Sequence, residues 1–165
     1  MKVTERTRTF AWADPIATLQ SAAGMSGLEY MRAMLAGEIP MPPMAVTLGF
    51  DGGSVEEGRA VFEAEPGEYL YNPIGVVHGG FAMTILDSAM GCAIHTTLPA
   101  GVFYTTLETK VNLVRAITVD TGRVRCEGVV VHRGGKVATA EGRLTAMASG
   151  KLLAHGTTTC LVTER

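Results

Sequence analysis

One acidic residue, Asp87, stands inside the most apolar stretch of the chain, residues 79–97. Burying a carboxylate in apolar surroundings is costly unless hydrogen bonds or an opposite charge compensate for the lost water. A carboxylate in such a place is typical of a general base or a nucleophile. It could instead cap the helix or pair with an arginine, and the residue types alone leave these alternatives open.

The residues just before this stretch could bind a polar group of a substrate. Gly79 and Gly80 begin a predicted helix, whose first N–H groups lack intrahelical partners and carry partial positive charge. Because glycine has no side chain, a carbonyl oxygen can approach these N–H groups as it would in an oxyanion hole. Asn72 could add a polar contact, and His78 could fix the loop or donate to the substrate. A glycine pair can also serve only as a close-packed turn.

The spacing between these two features predicts a site that is shared by two chains. Asp87 follows His78 by nine residues, which is roughly 13 Å along a helix axis. Asp87 therefore cannot act on a substrate held by its own Gly79, and it is either unrelated to that site or serves the site of a neighbour. Two antiparallel copies of the helix across a two-fold axis would bring each Asp87 towards the other Gly79. We therefore expect a homodimer with two equivalent sites at its interface.

The elements needed to position these residues follow from hydrophobic periodicity and turn residues, and they indicate an α+β fold. Residues 106–113 alternate between polar and apolar types, which predicts a half-buried strand with Leu107 and Thr109 on one face and Thr106 on the other. A long helix that is apolar nearly all round must be covered on most sides. We therefore expect an antiparallel sheet wrapped around one long central helix, with an extra N-terminal helix. The predicted elements are a helix within 14–37 with a capping box at Ser26 and Glu29 and a stop at Gly37, strands near 44–51 and 58–65 with a turn at 51–54, the helix 79–97, and strands at 106–113, 122–132, 136–147 and 151–163. Residues 1–40 are interpreted as an N-terminal arm and helix, and residues 41–165 as the main domain.

Composition excludes several classes of protein. The formal net charge is −2 over 165 residues, which argues against a nucleic-acid-binding protein, since such proteins carry a basic patch. The three cysteines are scattered, which favours reduced thiols and a cytoplasmic location. The first 15 residues are polar and of mixed charge, so we expect no signal peptide, and no apolar run reaches the ~20 residues that span a bilayer. The four histidines show no metal-ligand spacing, so we expect no metal.

Two segments of the sequence resemble the PaaI-like branch of the hotdog-fold acyl-CoA thioesterases. The first runs from Asn72 through His78-Gly79-Gly80 to Asp87, and the second runs from Tyr104 to Arg115. The resemblance covers about residues 42–163. It implies a hotdog fold, acyl-CoA as substrate, no cofactor, and a dimer that pairs into a dimer of dimers.

The resemblance also implies a role for each residue of the motif. The Gly79 N–H would polarise the thioester carbonyl, while Asn72 and His78 would shape the active-site loop. Asp87 from the partner chain would act as a general base on water or attack the carbonyl itself, and Thr106 matches a hydroxyl position that orients the water in some members. We assign substrate binding to Gly80, Phe81, Met83, Ser88, Tyr104, Arg133 and Lys136.

Some of these substrate-binding residues have alternative interpretations. Phe81, Met83, Phe103 and Tyr104 are candidates to line an acyl pocket that admits an aryl or medium aliphatic group. Arg133 and Lys136 flank a predicted hairpin turn, where they could contact coenzyme A phosphates or serve only as a charged turn.

Two other functions remain open at this point. A hotdog hydratase or dehydratase would use a histidine together with an acid close to the substrate Cα–Cβ bond. A non-catalytic acyl-CoA-binding sensor would keep the pocket and lack the acid. The presence of Asp87 deep in the helix, after His-Gly-Gly, favours hydrolysis over both.

Overall fold

The computed structural model describes residues 4–164, so residues 1–3 of the predicted arm and Arg165 lie outside the described residues. A single antiparallel sheet wraps around a long helix, which confirms the predicted α+β hotdog fold. The helices are α1 (Pro15–Ser21), α2 (Gly27–Leu35), α3 (Pro43–Leu48) and α4 (Gly79–His95), and the strands are β1 (Phe50–Glu56), β2 (Arg59–Ala64), β3 (Val102–Leu113), β4 (Val124–Arg133), β5 (Val137–Ala146) and β6 (Leu152–Glu164).

The six strands lie in the order β1-β2-β4-β5-β6-β3. The predicted hairpin between β4 and β5 is present, and β6 pairs with both β5 and β3. Strand β3 therefore lies at one edge of the sheet. Its exposed residues include Leu107 and Leu113, which are 60% and 54% exposed.

Helix α4 occupies the concave face of the sheet and supplies much of the core. Ile85, Leu86, Ala89 and Met90 are fully buried. Glycines in two strands allow this close contact, since a Cβ on Gly128 would lie 2.3 Å from the carbonyl oxygen of Ala89. The remaining face of α4 is only partly covered, and Asp87 lies on that face.

The N-terminal region differs from the single helix expected within 14–37. It forms two short helices, because Gly24 adopts a left-handed conformation (φ +92°) between them. The predicted capping box is confirmed, since Ser26 accepts from the Glu29 N–H and the Glu29 carboxylate accepts from the Ser26 N–H. Gly37 follows the end of α2 with φ +78°, as expected for a helix stop.

The predicted strand at 44–51 and the predicted turn at 51–54 are wrong. Residues Pro43–Leu48 form α3, with a proline at the first helical position, where its missing N–H costs nothing, and with Gly49 in the left-handed conformation at its end. Strand β1 begins at Phe50 and includes residues 51–54. The turn to β2 lies instead at Glu57-Gly58, where Gly58 has φ +75°.

Candidate active site

The loop before α4 is held by the side chain of Asn72. Its Oδ1 accepts hydrogen bonds from the N–H groups of Ile74 (3.1 Å) and Val76 (3.3 Å). The Asn72 backbone adds a bond from its N–H to the Val76 carbonyl at 2.8 Å. Asn72 thus closes the turn that leads the chain into the helix, which fixes where α4 begins.

His78 is the N-cap of α4. Its Nδ1 accepts from the Gly80 N–H at 2.9 Å, and its own N–H donates to the Leu70 carbonyl at 2.8 Å. The Gly80 N–H is therefore occupied by the cap. In contrast, the Gly79 N–H has no acceptor within residues 4–164. The Gly79 N–H is a free donor at the positive end of the helix dipole, so it can stabilise a developing negative charge on a substrate oxygen.

Gly79 lines a surface groove of about 220 Å³. The groove lies between the 72–79 loop and the segment that follows β3, and its lining includes Asn72, His78 and Arg115. A Cβ on Gly79 would lie 2.7 Å from Cδ1 of Leu113, so a glycine is needed here if that side chain is to keep its position. An extended ligand that lies in this groove can therefore reach the free Gly79 N–H.

Asp87 is half-buried, and its hydrogen-bond partners are two hydroxyl groups of β3. The hydroxyls of Thr106 and Thr109 donate to its Oδ1 at 3.1 Å and 2.9 Å. Within residues 4–164, no Lys or Arg forms an ion pair with Asp87, and its Oδ2 accepts no hydrogen bond. The alternative of an arginine-paired structural aspartate is therefore wrong for these residues. One carboxylate oxygen is fixed and the other is open to a ligand or a water.

Thr109 is a site residue that the sequence analysis missed. Regular alternation places Thr106 and Thr109 on opposite faces of β3, but the register with β6 shifts between Thr106 and Glu108. This bulge at Leu107 turns both threonine hydroxyls towards Asp87. The predicted facing of Leu107 with Thr109 is therefore wrong, and Leu107 points outward instead.

A third hydroxyl extends this cluster into the sheet. The Thr158 hydroxyl lies 3.1 Å from that of Thr109 and donates to the Glu108 carbonyl at 2.8 Å. Thr158 is only 2% exposed. The Thr109 hydroxyl is thus held between a buried partner and the Asp87 carboxylate, which limits the rotamers open to it.

The two halves of the candidate site are apart within one chain. Asp87 follows Gly79 by eight positions on α4, which is about 12 Å of helix. Asp87 lines its own depression of about 280 Å³, together with Met83, Thr84 and Thr109, whereas Gly79 lines the groove described above.

A larger cavity of about 420 Å³ lies on the other side of Asp87 along the helix. Ser88, Tyr104 and Thr106 contribute to its lining. Of the other residues predicted to contact the acyl group, Phe81 packs in the core at 3% exposure, while Phe103 lines a separate cavity of about 260 Å³.

Three rings surround the C-terminal end of α4 near this cavity. The His95 ring lies 5.7 Å from that of Tyr30 and 5.6 Å from that of Tyr104. Burial lowers the pKa of His95 and raises the pKa of Tyr104 well above its usual value. Burial also raises the pKa of the Cys92 thiol to about 12. All four side chains are therefore neutral near pH 7.

Arg133 and Lys136 lie in the hairpin between β4 and β5, and both are exposed. The pairing places Val137 opposite Leu161, while Leu113, next to Gly79, pairs with Ala154. Leu161 follows Ala154 by seven positions on β6, so the hairpin and Gly79 are about 23 Å apart along this strand. The two basic residues thus lie far from Gly79 of the same chain.

Residues 4–164 contain neither a cluster of metal ligands nor a membrane-spanning helix. No three His, Cys, Asp or Glu side chains in that range lie close enough together to hold a metal ion. No helix in that range combines the length and apolar character needed to cross a lipid bilayer.

A family model and solved structures match the chain. The model of the thioesterase superfamily matches residues 74–151, which include His78, Gly79, Asp87 and Thr106. None of the proteins with curated functions matches the sequence.

Three solved structures illustrate the likeness. A conserved protein from Pseudomonas aeruginosa is 30% identical, with a TM-score of 0.69, and the match covers 74% of this chain and 95% of that chain. A protein from Ralstonia eutropha, described as a candidate thioesterase related to phenylacetic acid degradation, is 30% identical over 80% of this chain and 98% of its own, with a TM-score of 0.72. A variant of the phenylacetic acid degradation protein PaaI from Thermus thermophilus is 27% identical over 73% of this chain and 98% of its own, with a TM-score of 0.65.

Proposed function

Because the chain belongs to the thioesterase superfamily as a PaaI-like hotdog protein, we propose that it hydrolyses acyl-CoA thioesters. The products are a free acid and coenzyme A, and the acyl group is of the aryl or medium-chain class. One observation carries the proposal: two threonine hydroxyls hold the Asp87 carboxylate by one oxygen, and the other oxygen is open. A free N–H at Gly79 supports it, since thioester hydrolysis needs a donor for the carbonyl oxygen.

We propose that the working unit is a homodimer in which each site combines Gly79 of one chain with Asp87 of the other. The separation of about 12 Å along α4 supports this, because one substrate carbonyl cannot contact both groups of one chain. The free edge of β3 supports it too, since a long edge strand with exposed Leu107 and Leu113 needs a covering partner. Pairing of two such dimers into a dimer of dimers is part of the proposal.

In the proposed reaction, the thioester carbonyl oxygen accepts a hydrogen bond from the Gly79 N–H. Asp87 of the partner chain removes a proton from a water as the water oxygen attacks the carbonyl carbon. The tetrahedral intermediate then collapses, the C–S bond breaks, and the sulfur of coenzyme A takes up a proton. Alternatively, the Asp87 carboxylate attacks the carbonyl carbon directly, the C–S bond breaks as the coenzyme A thiolate leaves and takes up a proton, and water hydrolyses the resulting anhydride. Thr106 and Thr109 hold the carboxylate in either route.

The other predicted residues have supporting parts in this scheme. Asn72 and His78 set the loop and the helix start, so they position the Gly79 donor. We propose that Arg133 and Lys136 contact the phosphates of a coenzyme A molecule bound in the site of a neighbouring chain. The chemistry uses only protein groups and water, so we propose no cofactor. A cytoplasmic location is proposed because the three cysteines are free thiols.

Release of coenzyme A from a panel of acyl-CoA esters tests the activity. Asp87→Asn keeps the shape and removes the base, so we expect kcat to fall by ~10²-fold or more. Gly79→Pro removes the N–H at a helix position that accepts proline, with an expected loss of about 10²–10³-fold. Gly79→Ala is the matched control because it adds a Cβ and keeps the donor.

Mixing the two inactive variants tests the shared site. In a mixed dimer of Asp87→Asn with Gly79→Pro, one of the two sites keeps both groups, so about a quarter of wild-type activity returns after subunit exchange. If no activity returns, each site combines Gly79 and Asp87 of the same chain, and the proposed shared site is wrong. If the wild type releases coenzyme A from no ester, the proposed function is wrong, and hydration of enoyl-CoA is the next activity to measure.

A further inference from the structure

The N-terminal segment, α2 through α3 (residues 27–48), covers part of the face of α4 that the sheet leaves open. Its methionines form one side of the cavity of about 420 Å³, whose volume falls within the ~300–1,000 Å³ range of small-molecule pockets. Met31 and Met34 of this segment are buried, at 1% and 6% exposure, while Met44 is 57% exposed. Met41 also contributes to the lining. Methionine side chains are flexible and polarisable, so this wall can adapt to apolar groups of different shape.

The cavity lies next to the candidate catalytic group. Thr106 lines the cavity and its hydroxyl also donates to Asp87, and the cavity-lining Ser88 follows Asp87 on α4. An acyl group whose thioester carbonyl lies at the open oxygen of Asp87 would pass Thr106 and Ser88 to enter the cavity. The opposite wall is apolar as well, since Phe50 and Phe62 of the sheet contribute to it.

We propose that the segment of residues 27–48 is the acyl-binding element of this protein and that it selects hydrocarbon acyl groups of medium length or aryl type. The inference rests on the proposed thioester substrate. Since a water-sized group takes up ~30 Å³, the cavity holds on the order of ten methylene-sized groups. An acetyl group would leave most of it empty, so short acyl groups bind more weakly.

The side chain of Tyr30 sets the length limit. Tyr30 and His95 line both this cavity and the neighbouring cavity of about 260 Å³, so their rings form the wall between the two. Leu19, Met25 and Phe103 line the second cavity. Removing the Tyr30 ring would join the two spaces and admit longer chains. Filling the first cavity from Ala45, which lines it and is 5% exposed, would have the opposite effect.

Binding of S-alkyl coenzyme A thioethers separates this inference from hydrolysis, because these ligands have no bond to cleave. For the wild type, we expect the affinity to rise by about fourfold per added methylene, equivalent to ~0.8 kcal/mol, up to a limiting length. Ala45→Phe should shorten that limit by several methylenes, and Tyr30→Ala should lengthen it. Ala36→Phe is the matched control, because Ala36 is exposed on the same segment.

The outcomes distinguish the two proposals. A rise in affinity with chain length that the variants shift in opposite directions supports the acyl-binding element, even if no thioester is hydrolysed. Affinity that is independent of alkyl length in the wild type overturns it, whatever the hydrolysis assay shows. A uniform loss of affinity for all thioethers in both variants, with ethyl-CoA weakened as much as decyl-CoA, also overturns it. Thermal unfolding of each variant identifies any loss that is due to misfolding, and in that case the milder pair Ala45→Leu and Tyr30→Leu gives the same comparison.

Discussion

Replacing Thr109 with valine would test whether the hydroxyl pair on β3 positions Asp87 for catalysis. Valine has nearly the shape of threonine, so the change removes one donor and leaves the strand packing in place. The lost bond is the 2.9 Å contact from the Thr109 hydroxyl to Oδ1 of Asp87. Thr158 loses a neighbour as well, but it still donates to the Glu108 carbonyl at 2.8 Å, so no buried hydroxyl is left without a partner.

The expected loss follows from the strength of that bond. A hydrogen bond to a charged group contributes ~1.5–3 kcal/mol. Since each 1.36 kcal/mol in the barrier is a factor of ten in rate, losing the whole contribution would lower kcat by about 10- to 150-fold. Thr106 still holds the same oxygen at 3.1 Å, so we expect the lower part of this range. KM should change little, because Thr109 does not line the acyl cavity.

The assay is coenzyme A release under saturating substrate, with two control variants. Thr109→Ser keeps the hydroxyl and should retain most of the activity. Thr157→Val makes the same chemical change on the exposed face of β6 and should leave kcat unchanged. Comparing the three variants separates the loss of the donor from the general effect of a Thr→Val change in the sheet.

One result would refute this reasoning. If Thr109→Val keeps full kcat while Asp87→Asn is inactive, the hydroxyl does not position the carboxylate. The bulge at Leu107 would then be a feature of strand pairing alone.

Two further predictions concern stability. Burial lowers the pKa of His95. Below pH ~6.5, His95 therefore binds more protons in the unfolded chain than in the folded chain. This group does not reduce the free energy of unfolding above that pH, and it reduces it progressively as the pH decreases. Since the pKa values of the neighbouring Tyr30 and Tyr104 are raised and both stay neutral, His95→Gln should lessen the fall in Tm between about pH 7.5 and 5.5, and an unchanged slope would contradict this account. Gly128→Ala places a Cβ 2.3 Å from a helix carbonyl oxygen and should lower the free energy of unfolding in urea by at least ~1–3 kcal/mol. Gly135→Ala, where a Cβ would meet nothing within 4 Å, is the control and should change stability by less than ~0.5 kcal/mol; equal losses in the two variants would refute the packing argument.

Local chemistry made several elements predictable from the sequence. The start of α4 was predicted at the glycine pair Gly79-Gly80 that opens the apolar stretch, and the start of α2 was predicted from the capping box at Ser26 and Glu29. These signals involve residues no more than a few positions apart, so they can be recognised from the sequence alone. The apolar character of residues 79–97 likewise required a covering sheet, and the six-stranded sheet provides it.

Other elements were misread because two local signals competed. Residues 44–48 contain β-branched and apolar types that suit a strand, yet Pro43 at the first helical position and Gly49 at the end favour a helix. The glycines at 52 and 53 suggest a turn, but pairing with β2 extends them into β1. Pairing with the neighbouring strand thus decided the structure of residues 51–54, whereas the helix signals at Pro43 and Gly49 outweighed the strand preference of residues 44–48.

The sequence by itself determined which residues could do the chemistry: a carboxylate at Asp87 and an unobstructed helix start at Gly79. Only the tertiary structure decided what holds that carboxylate. The bulge at Leu107 depends on how β3 pairs with β6 across 41 to 62 positions of sequence, and no local pattern encodes such a shift. It brings Thr109 to Asp87 beside Thr106. The cavity at Met31 and Met34 has the same origin, because it exists only where α2, α4 and the sheet meet.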